Sequence, residues 1–224
     1  MDLLTHSKIQ ELVLFIPVFI LSLSIHEYAH ALTAQKLGDP TAKYLGRLTI
    51  DPMAHISVLG TIIFPAIGLL TGGFLFGWAN PVPVDPRHFK KPRRGMAMVA
   101  AAGPAINVII AVCIAAGFGL STHFVPAEKF SSDSGIWQAI LRMAMLGMQL
   151  NLFLAFFNLI PLPPLDGSRI LAGILPPKLA NDLDAFERSS MASWVLLILI
   201  FSGAFSFLGK FVLAFQAFLF GIFT

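Results

Sequence analysis

The stretch that decides the fold is residues 9–32, IQELVLFIPVFILSLSIHEYAHAL, near the start of a chain of 224 residues. A helix of this length, rising ~1.5 Å per residue, is long enough to cross the ~30 Å hydrocarbon core of a bilayer. The apolar run is too long for the core of a signal peptide, and it ends in His and Glu rather than in small residues. We therefore interpret it as a membrane span that is retained in the mature protein.

The end of this helix carries the motif His26-Glu27-Tyr28-Ala29-His30. The two histidines lie one turn apart on one helical face, so both imidazoles can reach one Zn²⁺ ion at ~2.0–2.1 Å. Glu27 lies beside them, where it can act as general base on a water at the metal without being a ligand. Three ionisable residues in one turn of a membrane helix are costly and need a partner or a function. A buried polar cluster that serves only packing is the alternative.

A zinc site that keeps one position open needs a third protein ligand. The candidate is Asp166, in the segment 158–167, NLIPLPPLDG. Its three prolines cannot continue a helix, so we expect Asp166 to project from an extended segment before a tight turn at Gly167. A helix cap is the structural alternative for this aspartate. The unfilled zinc site favours the ligand.

The composition of the whole chain is that of a membrane protein. Hydrophobic residues make up 56% of it and charged residues only 12%, whereas an ordinary soluble domain carries about 25% charged residues. No basic patch interleaved with aromatic residues is present, which argues against nucleic-acid binding. Apolar runs predict membrane helices over residues 9–34, 95–120 and 135–160 and, broken into two short helices, over residues 189–223.

Two further features complete the predicted fold. Residues 56–70 form an apolar run of only 15 residues that contains Pro65 and Gly68, so it either crosses the membrane or dips in and returns. Residues 41–50 and 74–84 suit short strands whose edges are limited by prolines. The predicted fold class is an all-α polytopic membrane protein with about five transmembrane helices, a re-entrant segment and a small membrane-associated β-sheet.

The distribution of basic residues selects between the two paths for residues 56–70. If this run is re-entrant, eleven Lys and Arg residues lie on the inner side and four on the outer side, against nine and six if it crosses. The positive-inside rule favours the re-entrant path. That path also brings His26, His30 and Asp166 toward the same side, whereas the crossing path separates them. We therefore predict a multi-pass protein of the cell membrane with its active site toward the cytoplasm.

Three motifs together carry a resemblance to a known family. They are the HExxH at residues 26–30, the GPAIN at residues 103–107 and the NxxPxxxxDG at residues 158–167. In this order and on these helices, the motifs resemble those of the site-2 protease family of intramembrane zinc metalloproteases, over about residues 10–170. The GPAIN segment corresponds to the GPxxN of that family and would be a weak signal alone.

The resemblance implies a role for each motif. His26, His30 and Asp166 would hold one zinc ion per chain, and Glu27 would be the catalytic residue. Asn158 would position the substrate or stabilise the oxyanion. Residues 38–90 are similar to the part of the family that shapes the access of substrate to the site.

We therefore expect a single domain over residues 1–224, with a catalytic core at about 9–170 and C-terminal helices at 189–223. There is no room for the PDZ or CBS domain that many relatives carry. The expected function is hydrolysis of peptide bonds in membrane-protein substrates within the lipid bilayer. The alternatives are a membrane metal carrier or transporter, and an inactive family member that only binds membrane proteins. Glu27 favours the enzyme, because metal binding alone does not need it.

Two polar residues have more than one interpretation. His55 is either a polar loop histidine or a residue that faces the site. Asn107 either lines the catalytic cavity or makes a hydrogen bond between helices, as buried amides in membrane proteins do.

Overall fold

The computed structural model describes residues 6–71, 77–124 and 136–223, and these residues are mainly helical. The helices, in chain order, are α1 (His6–Lys36), α2 (Thr41–Tyr44), α3 (Phe64–Thr71), α4 (Pro92–Phe124), α5 (Ile136–Asn158), α6 (Asp166–Ile174), α7 (Pro177–Glu187), α8 (Ser190–Phe201) and α9 (Phe207–Phe223). A π-helical turn, Val58–Ile63, leads directly into α3.

Three helices in the described part of the chain are long and apolar enough to cross a membrane. Their apolar spans are Gln10–Lys36 in α1, Pro92–Thr122 in α4 and Ile136–Asn158 in α5. Helix α4 lies at the centre, since it packs against α1, α5, α6 and α9. The predicted helices at residues 9–34, 95–120 and 135–160 correspond to these three spans.

Small residues let the central helices approach closely. Ala111 and Ala115, one turn apart on α4, have no exposed surface and pack against Met148 and Leu152 of α5. Within a bilayer the hydrophobic effect does not drive helices together, so close packing at small residues is a main source of attraction. Helix α9 completes this cluster from the other side.

The C-terminal apolar run is divided as the sequence predicts. Helix α8 has 12 residues and α9 has 17, and the turn between them at 202–206 contains Gly203 with a φ of +75°. Both helices are shorter than the ~20 residues that a span needs. The prediction of about five transmembrane helices is therefore wrong for the described residues, in which three helices reach spanning length.

The predicted β-sheet is also wrong. Residues 41–50 form the short helix α2, a turn and bends, and residues 77–85 lie in no helix or strand; residues 74–76 of the second predicted strand lie outside the described residues. We call 77–85 the extended segment, because residues that precede prolines favour extended backbone and Asp85 adopts it. Several backbone N–H groups of this extended segment donate to acceptors outside any ladder. The N–H of Trp78 donates to the Gly60 carbonyl (3.0 Å), and that of Asn80 donates to the His55 carbonyl (2.9 Å). Prolines elsewhere in the segment have no N–H to offer a neighbouring strand.

The apolar run at 56–70 is too short to be an ordinary span. The π-helical turn and α3 together cover residues 58–71, roughly 21 Å at ~1.5 Å per residue. That length is below the ~30 Å core of a bilayer. It suits a segment that dips into the membrane and returns, and the side of the membrane on which its ends lie stays a prediction.

Candidate metal centre

Three side chains from two distant parts of the chain converge on one point. His26 and His30 lie one turn apart on α1, and their Nε2 atoms are 3.0 Å apart. Asp166 begins α6, and its Oδ2 lies 3.2 Å from His26 Nε2 and 3.3 Å from His30 Nε2. Both histidines are buried, and Asp166 is partly buried. The structure thus brings together the three residues that the sequence predicts as ligands.

The geometry of these three atoms fits a zinc ion. Bonds of ~2.0–2.1 Å in a tetrahedral site place neighbouring ligand atoms about 3.3 Å apart, close to the separations found here. Asp166 Oδ2 is buried and accepts no hydrogen bond from the described residues. A buried, unpartnered carboxylate oxygen is unfavourable unless a cation compensates it. Two imidazoles and one carboxylate are also a usual donor set for catalytic zinc.

Hydrogen bonds on the far side of each imidazole orient it toward the centre. His26 Nδ1 donates to Asn107 Oδ1 (2.5 Å), and His30 Nδ1 donates to the Val99 carbonyl (2.7 Å). Because a carbonyl oxygen only accepts, each Nδ1 carries the hydrogen, and each Nε2 keeps a lone pair for a metal. Asn107, whose role the sequence leaves open, therefore supports the metal centre directly.

Gly103 makes room for both imidazoles. A Cβ atom at this position would lie 2.5 Å from His26 Cε1 and 2.5 Å from His30 Nε2. Only glycine lets the α4 backbone lie so close to the two imidazoles without displacing them. This close approach explains why the first residue of the GPAIN segment is glycine.

The prolines follow the end of α5, as predicted, but Asp166 begins a helix after a run of turns and bends and does not project from an extended segment. Helix α5 ends at Asn158, and the chain returns to helix at Asp166, with the extended Leu165 at the N-cap. Asp166 is therefore not the cap residue. Gly167 allows the tight path, because a Cβ there would collide with the carbonyl oxygens of Leu159 and Ile160.

Asn158 makes a local hydrogen bond in this structure. Its Nδ2 donates to the Leu154 carbonyl at 2.9 Å, and its side chain is partly buried. This bond uses one of the two amide hydrogens. The other remains available for a further acceptor.

Glu27 is held by the extended segment 77–85. Its Oε2 accepts the backbone N–H of Val82 at 2.9 Å, and its side chain is partly buried. The bond leaves Oε1 of the carboxylate for another hydrogen. The extended segment thus covers the face of α1 that carries the predicted general base.

The far end of this segment is anchored by Asp39, just beyond α1. The buried Asp39 carboxylate accepts hydrogen bonds from the Asp85 N–H (2.7 Å) and from the N–H and hydroxyl of Thr41, and it lies 3.1 Å from His88 Nδ1. Burial opposes ionisation, but the hydrogen bonds from Thr41 and Asp85 outweigh it and lower the pKa of the Asp39 carboxyl. A charged anchor therefore fixes the segment against the end of α1.

His55 has a local role outside the metal cluster. It is buried, and its Nε2 donates to the Thr49 carbonyl at 2.8 Å. The described residues that could share one metal ion are His26, His30 and Asp166. The histidine thus stabilises its own loop, as the first of its two interpretations has it.

Asn151 was missed by the sequence analysis. It lies within the span of α5, has 1% of its surface exposed and makes a hydrogen bond with Asn107. A polar amide inside an apolar span is itself a signal of function or of helix pairing. Only the folded structure, however, shows which residue it meets.

Comparison with known proteins gives consistent matches. The sequence profile of peptidase family M50 matches residues 14–203. YwhC of Bacillus subtilis is 38% identical over 188 residues, which are 83% of this chain and 80% of YwhC. Rip2 of Mycolicibacterium smegmatis is 29% identical over 188 residues, which are 84% of this chain and 65% of Rip2. Both relatives are named putative zinc metalloproteases. No solved structure matches the chain.

Proposed function

The chain belongs to peptidase family M50 and is a zinc metalloprotease, and from that premise we propose that it hydrolyses peptide bonds of membrane proteins within the bilayer. The single observation that carries the proposal is the convergence of His26, His30 and Asp166 between helices long and apolar enough to span a membrane. A soluble metalloprotease has no need of such helices. A site enclosed by them favours substrates that are themselves in the membrane.

The roles of the residues follow from their contacts. His26, His30 and Asp166 would hold the zinc ion through the three atoms that face one another. When bound, zinc supplies a Lewis acid for the scissile carbonyl and makes water acidic enough to be deprotonated near neutral pH. Glu27 takes the proton of the attacking water and delivers it to the leaving nitrogen.

The N–H of Val82 orients Glu27 for this proton transfer. It engages one carboxylate oxygen at 2.9 Å, so the carboxylate keeps a fixed orientation while the other oxygen handles the proton. Preorganised groups of this kind avoid rearrangement during the reaction.

We assign Asn158 a role at the oxyanion. It ends α5, eight positions before Asp166, and its amide has one hydrogen beyond the one given to Leu154. That hydrogen is a suitable donor to the oxygen that becomes negative in the transition state. The bond to Leu154 supports the competing view that Asn158 only braces the end of the helix.

The proposed location is the cell membrane, with the active site toward the cytoplasm. Basic residues are concentrated around the start of α4, at Arg87, Lys90, Lys91, Arg93 and Arg94. Short stretches rich in Lys and Arg favour the cytoplasmic side. The metal centre lies at the end of α1 and near the start of α4, so it belongs to that same side of the membrane.

The membrane proteome tests the proposal. Cells that produce Glu27→Gln should accumulate intact membrane proteins that cells with the unchanged protein convert to fragments ending within membrane-spanning sequences. The substitution keeps the size of the side chain and leaves the three ligands in place. Identical proteomes, with both proteins present in equal amounts and loaded with zinc, would contradict the proposed function.

A further inference from the structure

A chain of hydrogen bonds connects the candidate metal ligand His26 on α1 with α4 and α5. Asn107 on α4 accepts from His26 Nδ1, and its own Nδ2 donates to Asn151 Oδ1 on α5 at 2.7 Å. Asn151 Nδ2 then donates to Ser22 Oγ on α1 (2.9 Å) and to the Gly147 carbonyl (2.8 Å). These side chains are buried, with Asn107 0%, Asn151 1% and Ser22 4% exposed. The chain links the three spanning helices.

The contacts of Asn151 fix which group donates and which accepts at each step of this chain of hydrogen bonds. An amide nitrogen has two hydrogens, and both hydrogens of Asn151 Nδ2 are used by Ser22 and Gly147. Its Oδ1 is therefore the atom left to face Asn107. Asn107 must therefore donate to this oxygen from its Nδ2, and this orientation of the amide turns its own Oδ1 toward His26.

The orientation of Asn107 decides where His26 carries its hydrogen. With Oδ1 facing it, His26 Nδ1 is protonated and Nε2 has a free lone pair for the metal. If the Asn107 amide turned over, its N–H would face Nδ1, and the neutral ring would then carry its hydrogen on Nε2. A hydrogen on Nε2 would occupy the ligand position of the metal centre.

We infer that Asn151 is a positioning residue for the metal centre: it fixes the Asn107 amide and, through it, the tautomer of His26 that binds zinc. Asn151 touches neither zinc nor substrate. The inference rests on the proposed function only in that His26 is a zinc ligand. Asn151, on α5 and fifteen positions before Asp166, would then be one of the residues that determine zinc affinity.

The competing explanation is that the amides only join helices. Hydrogen bonds between membrane helices stabilise them modestly, and losing one for that reason would lower stability without changing zinc affinity in the protein that folds. Zinc affinity and the tautomer of His26 in the metal-free protein therefore separate the two explanations.

The test is a zinc titration of the purified full chain against a competing chelator. Asn107→Leu and Asn151→Leu each remove the polar group at similar volume, and both should weaken zinc binding by about tenfold or more, since loss of an outer partner of a ligand costs 10–100-fold in affinity. Asn151→Asp keeps an oxygen that faces Asn107 and should bind zinc within about threefold of the unchanged protein, well short of that loss. Asn151→Ala is measured alongside in case leucine does not pack.

The double variant gives the decisive comparison. Because Asn151 acts through Asn107, Asn107→Leu/Asn151→Leu should bind zinc no more weakly than Asn107→Leu alone. In the metal-free protein, nitrogen NMR of labelled histidine should show His26 protonated at Nδ1, and Asn151→Ala should populate the Nε2–H form. That measurement needs no bound zinc and applies to whichever Asn151 variant folds.

Two results would overturn the inference. One is unchanged zinc affinity and an unchanged His26 tautomer in folded Asn151→Ala or Asn151→Leu. The other is a double variant whose zinc affinity falls by the product of the two single effects. His26→Ala tests the proposed ligand set separately. Full zinc binding by this variant would show that His26 is not a zinc ligand, which is a failure of the proposed function and not of the role of Asn151.

Discussion

At the scale of single residues, Gly103 and the two imidazoles occupy space that no side chain can share. A Cβ at position 103 would fall within 2.5 Å of both histidines. We expect Gly103→Ala to displace at least one ligand and lower zinc affinity by more than tenfold, the scale of a disturbed ligand shell. Zinc content of the purified protein, measured by elemental analysis, checks this.

Gly117→Ala is the matched control for that prediction. It makes the same change on the same helix, but a Cβ there meets no atom within 4 Å. It should keep full zinc, and alanine should favour the helix slightly over glycine. Equal zinc content in the two variants would show that the centre tolerates a methyl group at position 103.

Asn158 offers a second test at this scale. If its free amide hydrogen serves the oxyanion, Asn158→Ala should retain zinc and fold but turn over substrate at least tenfold more slowly, since loss of such a donor typically costs ~10²–10³ in kcat. If it serves only Leu154, the variant should lose about 1 kcal/mol of stability with kcat preserved. Turnover per bound zinc, measured beside thermal stability, decides between these outcomes.

The sequence predicts those parts of the site whose residues are close together in the chain. The spacing of His26 and His30 fixes their shared face, because one helical turn separates them. Asp166 follows from the prolines that end α5 and from the need for a third ligand. The contact of Asn107 with His26 joins positions 81 residues apart, so it depends on how α4 packs against α1. No local pattern encodes that packing.

At the scale of structural elements, the extended segment 77–85 should influence catalysis, because its Val82 N–H orients the Glu27 carboxylate. Val82→Pro removes the N–H that Glu27 accepts, and although it also replaces the side chain and fixes φ, the position before Pro83 already favours extended backbone. A hydrogen bond to a charged group contributes about 1.5–3 kcal/mol, so we expect kcat to fall at least tenfold with zinc content unchanged. Steady-state cleavage of a membrane substrate measures this.

Val82→Ala provides the reference for the proline variant. It shortens the same side chain but keeps the backbone N–H, so its kcat should stay close to that of the unchanged protein. Equal kcat values for the proline and alanine variants would show that the N–H does not orient Glu27. A loss of zinc in the proline variant would instead indicate a wider disturbance of α1.

The same segment explains why strand prediction failed here. Its composition and its prolines are typical of an edge strand, and Asp85 at its end has the extended backbone of a strand. A strand, however, also needs a partner, and the N–H groups of Trp78, Asn80 and Val82 find acceptors in two turns and a side chain instead. Sequence patterns predict the local conformation of such a segment better than its long-range hydrogen bonds.

At the scale of the whole molecule, hydropathy predicts a membrane protein but not the number of spans, and the orientation inferred from charge stays a prediction. The three long helices were predicted from their length. The sequence also predicts the division of the C-terminal run, but its helices of 12 and 17 residues are each shorter than the ~20 residues of a span and do not add to the number of spans. Length alone could not show how a helix broken at Gly203 would pack, because that depends on the surface that α4 and α5 present.

The topology is tested by labelling from the two sides of the membrane. Lys43→Cys and Lys90→Cys, each in a Cys113→Ser background, introduce one thiol before and one after the short helical run at 58–71. Both positions are exposed. We expect an impermeant reagent to label both from the cytoplasmic side only. Labelling of the two positions from opposite sides would mean that this run crosses the membrane.

The most direct measurement of the central claim is zinc content and cleavage in the same vesicles, using a membrane protein that accumulates in Glu27→Gln cells as substrate. The unchanged protein should hold about one zinc per chain and cut the substrate within its membrane-spanning sequence. Glu27→Gln should hold the same zinc and cut nothing, and Asp166→Ala should lose both zinc and cleavage. Normal cleavage by Glu27→Gln, or full zinc in Asp166→Ala, would contradict the account.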